Sequence, residues 1–147
     1  MKHARLQALA IAVTLALSAA TAVAQDAAAD AMTAPQIRAS LESQGYTRIN
    51  DIEFEDGVWK ADARSADGQR VDLRIDPATG KVYPENAVST LGEADVRAKL
   101  SAAGYSKIDD VEFDDGVWTA HAEDADGRDL KLTLDPETGK VVGRDRD

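Results

Sequence analysis

The sequence predicts an α+β protein of two tandem units, each one N-terminal helix packed on a three- or four-stranded antiparallel meander sheet. Three observations predict it. Residues 45–82 align without gaps to residues 104–141 at an offset of 59, with 22 identities over 38 positions. Each copy opens on an apolar stripe of helical spacing and continues in runs that alternate with period two. Gly-bearing turn signals separate those runs. A period of 59 with only two copies suits tandem domains better than a solenoid.

The first residues, Met1-Lys2-His3-Ala4-Arg5, are basic, Leu6 to Leu17 is almost wholly apolar, and Ala22-Val23-Ala24 offers a small-x-small cleavage site. This is the grammar of a secretory signal peptide, predicted to cover residues 1–24 and to be cleaved after Ala24. Residues 25–32 are then expected to be a flexible mature N-terminus.

In the first unit, residues 33–83, Thr33 and Gln36 form a capping-box pair around Pro35, which only a first helical turn tolerates. Ile37 and Leu41 share one helical face, and Gly45 supplies a left-handed stop. Ile49 leads into the first strand, where Ile52 and Phe54 should face the core and Asp51, Glu53 and Glu55 the solvent. Asp56-Gly57 is a two-residue hairpin signal that sets Phe54 opposite Trp59 and Glu53 opposite Lys60. Trp59, Ala61 and Ala63 continue the apolar face, and Val71, Leu73 and Ile75 complete it. After the Asp76-Pro77 turn, Lys81-Val82-Tyr83 can form a short fourth strand.

The second hairpin sets turn chemistry against charge. Ser65-Ala66-Asp67-Gly68 suits a three-residue loop with a left-handed Gly. That register places Asp62 opposite Asp72 and Lys60 opposite Arg74, whereas a two-residue shift would pair opposite charges. Exposed pairs are worth only ~0.2–1 kcal/mol, so turn geometry should win. Asp51, Asp62 and Asp72 would then form a row on the outer face.

A linker at 84–91 leads to the second unit, residues 92–142. There Gly92 is the cap candidate, Asp95 favours the helix dipole, Val96 and Leu100 repeat the stripe, and Gly104 ends the helix. Phe113 should face Trp118 as in the first copy. Residues 143–147 are expected to be a loose charged tail. Units of about 50 residues bury little core, so the two should dock.

Composition excludes several functions. The chain holds 17 Lys plus Arg against 27 Asp plus Glu, a formal charge of −10, and signal cleavage would take away Lys2 and Arg5 and no acid. Nucleic acid is therefore not an expected partner. No apolar stretch after Gln25 approaches the ~20 residues of a membrane span. Without Cys there is no disulfide, thiol nucleophile or Cys-ligated zinc.

The repeated order Gly45-Tyr46, Ile49-x-x-Ile52-Glu53, Gly57-x-Trp59, Asp67-Gly68 and Leu73-x-Ile75-Asp76-Pro77-x-Thr79-Gly80 resembles the PepSY family of the cystatin-like group. The copy carries it at Gly104-Tyr105, Ile108-x-x-Val111-Glu112, Gly116-x-Trp118, Asp126-Gly127 and Leu132-x-Leu134-Asp135-Pro136-x-Thr138-Gly139. The resemblance implies a non-catalytic module of the periplasm or the secreted fraction. Its expected partner is an envelope protein, a peptidase restrained in trans being the version the family suggests. Two such units also resemble the architecture of beta-lactamase inhibitory proteins, whose disulfides a chain without Cys cannot form.

No catalytic, cofactor-binding or metal site is predicted. His121, the only histidine after the signal peptide, would lie opposite Asp110 on an outer face, and no Gly-x-Ser-x-Gly elbow presents a serine to it. An EF-hand around Asp124-Ala125-Asp126-Gly127 would need an acid at Ala122 and a Glu at Thr133. Trp59 and Trp118 share the parity of core residues and are expected to fill the core rather than anchor a partner. The candidate interaction surface is the pair of acidic stripes Asp51, Glu53, Glu55 and Asp110, Glu112, Asp114, which could steer a basic partner. The alternative reading is a cation- or small-ligand-responsive domain that binds a divalent ion weakly through these faces.

Overall fold

The computed structural model describes residues 31–146. The expected signal peptide and residues 25–30 of the expected flexible stretch lie outside them. The first unit runs α1 (Ala34–Ser43), β1 (Thr47–Glu55), β2 (Val58–Arg64), β3 (Arg70–Ile75) and β4 (Val82–Pro84). The second runs α2 (Glu93–Ala102), β5 (Ser106–Asp114), β6 (Val117–Glu123), β7 (Asp129–Leu134) and β8 (Val141–Arg146). Each unit is one helix followed by a four-stranded antiparallel meander, in the orders β1-β2-β3-β4 and β5-β6-β7-β8.

Each helix covers one face of its own sheet. Ile37 and Leu41 pack on Ala61, Ala63, Leu73 and Ile75, and Val96 and Leu100 pack on Ala120, Ala122, Leu132 and Leu134. Both helices start with the cap residue's N–H held by the side chain three residues on, Thr33 N–H donating to Gln36 Oε1 at 2.8 Å and Gly92 N–H to Asp95 Oδ2 at 2.9 Å. Both indoles tie down the segment that precedes a helix. Trp59 Nε1 donates to the Met32 carbonyl at 2.9 Å and Trp118 Nε1 to Ser89 Oγ at 2.7 Å. Trp118 is buried in its core and Trp59 packs half-buried against the other.

The hairpins follow turn chemistry. Asp56 and Gly57 both have positive φ, 54° and 75°, and set Phe54 opposite Trp59 and Glu53 opposite Lys60. In β2–β3, Asp62 lies opposite Asp72 and Lys60 opposite Arg74, the register that the loop demands against the charges. Arg70, diagonal to Asp62, relieves the clash with an ion pair of 2.6 Å.

Three expectations are corrected. In β1 the residues Arg48 and Asp51 each adopt φ 49°, and the pairing slips twice along the strand. Lys107 and Asp110 do the same in β5. Such bulges break strict alternation. The slip puts Asn50 rather than Asp51 opposite Asp62, so the row Asp51–Asp62–Asp72 is not in register, and it puts Asp109 rather than Asp110 opposite His121. Phe54 accordingly is not core: it is 55% exposed, with Trp59 edge-on at 5.3 Å, while Ile49 is buried.

Second, the charged tail forms strand instead, because β7 offers an open edge on which Arg144, Asp145 and Arg146 pair with Leu132, Lys131 and Leu130. Third, Met32 is held rather than loose, its N–H donating to the Pro77 carbonyl at 2.7 Å while its own carbonyl takes the Trp59 indole.

Candidate interaction surface

The sheet faces turned away from the helices hold residues that belong to neither core yet are buried: Val58, Tyr83, Val117 and Thr133. The other unit covers them. Contacts across this face are reciprocal, at an offset of 59 through β7 and of 60 past the register shift in β8, which places Gly143 opposite Thr133 as Tyr83 lies opposite Arg74. Thr133 Oγ1 donates to the Asp56 carbonyl at 3.3 Å, and at the matching place Arg74 pairs with Asp115. The Gly57 turn lies against Arg144, and the Gly116 turn against Pro84. This is the exchange pattern of a two-fold interface, made here within one chain. Both turns require Gly: a Cβ at Gly57 would stand 2.2 Å from Arg144 N, and one at Gly116 would stand 2.0 Å from the Pro84 oxygen.

Beside this contact the two outer faces diverge into a polar cleft of about 490 Å³. Asp110, Glu112, Asp114 and Lys131 of the second unit line it together with Asp56, Lys60 and Arg74 of the first. Lys60 Nζ donates to Glu55 Oε2 at 2.6 Å and to Asp56 Oδ2 at 2.8 Å, and Lys131 Nζ donates to Asp56 Oδ1 at 3.0 Å. Burial pushes the Asp56 carboxyl up, but the hydrogen bonds from Lys60 and Lys131 outweigh it and hold the group below its ordinary value. Burial and nearby Arg74 press the Lys60 ammonium down, and the bonds to Asp56 and Glu55 raise it above its ordinary value.

The two predicted stripes therefore do not merge. All six residues are exposed, but Asp110, Glu112 and Asp114 share a cleft with cations of both units. Glu55 is tied to Lys60, and Glu53 stands opposite Lys60 on the neighbouring strand. Asp51 borders a separate concavity with Arg48, Arg64 and Arg70. His121 lines the inter-unit cleft between Thr119 and Lys131 and is engaged there. The Asp124 loop is a hairpin turn in which Asp124 accepts from Asp126 N–H and Arg128 N–H. Among the described residues no group of three or more His, Asp or Glu side chains is arranged to hold a metal ion.

Sequence reasoning missed the buried carboxylates Asp76 and Asp135. Both were legible only as repeated turn residues. Asp135 Oδ1 accepts from the N–H groups of Glu137 and Thr138, at 2.8 and 2.9 Å. Its Oδ2 accepts from Lys81 Nζ at 2.7 Å and from the Tyr83 hydroxyl at 3.0 Å, both from the first unit. Burial pushes Asp135 up, and these donors overcome it and hold the carboxyl far below the ordinary range. Burial raises the Tyr83 phenol, and the Asp135 charge raises it further. The signal that could have found this contact is the place where the repeat breaks, Tyr83 in one copy and Val142 in the other.

No helix among the described residues is long and apolar enough to cross a membrane. A family model described as peptidase propeptide and YPEB domain matches the chain in two tandem segments, residues 8–86 and 88–145. No curated protein and no solved structure matches it.

Proposed function

Because this chain belongs to the peptidase propeptide and YPEB domain family, we propose that it is an exported, non-enzymatic interaction module that restrains or regulates a peptidase supplied as a separate chain. The observation that carries the reading is the double match, which falls on two units that dock as one body. Such a body offers a partner a preformed surface rather than a segment that must order on binding.

Export is part of the proposal and rests on the basic, apolar and small-residue succession of residues 1–24. The acidic stripes are its proposed steering surface. Asp51, Glu53, Asp110, Glu112 and Asp114 are exposed on a chain of formal charge −10, and such a field speeds encounter with a basic partner. The cation-responsive alternative ranks lower, because the cleft that holds the second stripe is also lined by the cations Lys60, Arg74 and Lys131.

The test is inhibition. The purified chain, titrated against secreted and periplasmic peptidases of its own source, should lower the activity of at least one while remaining uncleaved. Unchanged activity of every peptidase at a large excess of the chain would overturn the peptidase reading.

A further inference from the structure

The outer faces of the two sheets carry matching acidic stripes, but only the first carries its cation. In the first unit Glu53 lies opposite Lys60, whose ammonium sits between Glu55 Oε2 at 2.6 Å and Asp56 Oδ2 at 2.8 Å. The second unit keeps the same register over this stretch. Glu112, Phe113 and Asp114 lie opposite Thr119, Trp118 and Val117, as Glu53, Phe54 and Glu55 lie opposite Lys60, Trp59 and Val58. Thr119 therefore stands in the place of Lys60, without its ammonium or its four-carbon stem. The acids remain, since Glu112, Asp114 and Asp115 match Glu53, Glu55 and Asp56. Asp115 is paired with Arg74 of the first unit, whereas Glu112 and Asp114 have no ion pair among the described residues.

We infer that the inter-unit cleft receives a lysine side chain of a partner protein, its ammonium held by Glu112 and Asp114 beside Thr119 as Lys60 is held by Glu55 and Asp56. The inference rests on the reading of the chain as a protein-binding module and names the chemistry its partner presents. The first copy sets that chemistry: a primary ammonium on a long stem is what the matching carboxylates hold there. Thr119, Glu112 and Asp114 all line the cleft, whose volume of about 490 Å³ has room for such a stem. The hydroxyl of Thr119 can accept one more bond from the ammonium. The cations already in the cleft are engaged elsewhere, Arg74 with Asp115, and Lys60 and Lys131 with Asp56. The complementary charge of a lysine is what the two remaining carboxylates lack.

The experiment is a titration of the full, isotope-labelled chain with the capped tripeptide Gly-Lys-Gly at physiological ionic strength, followed by amide NMR. The comparison is Gly-norleucine-Gly, which keeps the stem and loses the charge. Shifts should appear at Glu112, Asp114 and Thr119 and not at Glu53, Glu55 and Lys60, where the seat is filled. The norleucine peptide should bind roughly tenfold more weakly for want of hydrogen bonds to charged groups. Thr119→Lys fills the seat from within and should abolish the shifts. If that chain does not fold, Glu112→Gln serves in its place and should weaken the lysine peptide. Lys60→Thr should open the matching seat and bring new shifts at Glu53 and Glu55.

Equal binding of both peptides, or shifts spread evenly over both stripes, overturns the inference. So does a Thr119→Lys chain that still restrains its peptidase after losing the peptide, an outcome that leaves the peptidase reading intact. Conversely, lysine-selective binding by a chain that restrains no peptidase supports the seat and removes only the peptidase reading.

Discussion

The Tyr83 hydroxyl donates to Asp135 Oδ2 at 3.0 Å, joining the last strand of the first unit to the turn after β7 in the second. Both residues are buried, and Lys81 Nζ reaches the same carboxylate oxygen. This one carboxylate closes its own turn through two backbone N–H groups and locks the two units together.

Asp135 and Asp76 should therefore differ in cost although they are equivalent in the repeat. Asp135→Ala strands a buried phenol and a lysine, and about 2–4 kcal/mol should be lost. Asp76→Ala removes only its turn bonds and should cost about 1–2 kcal/mol. Urea denaturation of both variants checks the ordering, and equal costs would contradict it.

Stability should fall at both ends of the pH scale. The Asp56 and Asp135 carboxyls titrate below their unfolded value of about 3.9. Between folded and unfolded values the unfolded chain binds more protons, so the stabilisation is present above that value and lost as pH falls through the folded ones. Lys81 and Tyr83 titrate above their ordinary values, so their contribution is whole below about pH 10 and is lost as pH rises through the folded values. Denaturation midpoints across the pH range should show both limbs. Asp135→Asn should flatten the acid limb and Tyr83→Phe the alkaline one.

The turn glycines separate backbone strain from docking. Gly68 has φ 80° and open space around it, so Gly68→Ala should cost only the left-handed penalty of about 1–2 kcal/mol. Gly116 has nearly the same φ, 78°, but its Cβ would strike the Pro84 carbonyl. Gly116→Ala should cost clearly more and loosen the units, read as faster hydrogen exchange at Tyr83 and Thr133 as well as a lower melting temperature.

Asp72→Asn should stabilise the protein. The Asp62 carboxylate facing Asp72, then partial burial, raises the Asp72 carboxyl, the mark of like charges held opposite each other by the hairpin. Relief of that repulsion should be worth about 0.2–1 kcal/mol, seen as a small rise in melting temperature at neutral pH that shrinks below pH 4. A loss of stability would mean that the Arg70 bridge depends on both acids.

Most of the fold was legible because it is local. Helix stripes, caps, primed turns and hairpin registers are decided by neighbours within a few residues, and Phe54 opposite Trp59 follows from Asp56-Gly57 alone. The slips in β1 and β5 were not legible. Arg48, Asp51, Lys107 and Asp110 take left-handed backbone with side chains that do not demand it, so no residue type announces the bulge.

The sequence by itself determined the duplication, the α+β class and the family, since 22 identities at one offset need no coordinates to be read. Tertiary structure alone decided what the outer sheet faces do. Alternation assigns them to solvent, yet they are where the units meet, burying Val58, Val117 and Thr133 and drawing Asp56, Arg74 and Lys131 into ion pairs across the contact. The reason is physical: period-two patterning reports a side chain's face but not what lies across from it. Contact between residues 52 or more positions apart, as for Tyr83 and Asp135, is set by how two small bodies fit and by the charges they can satisfy.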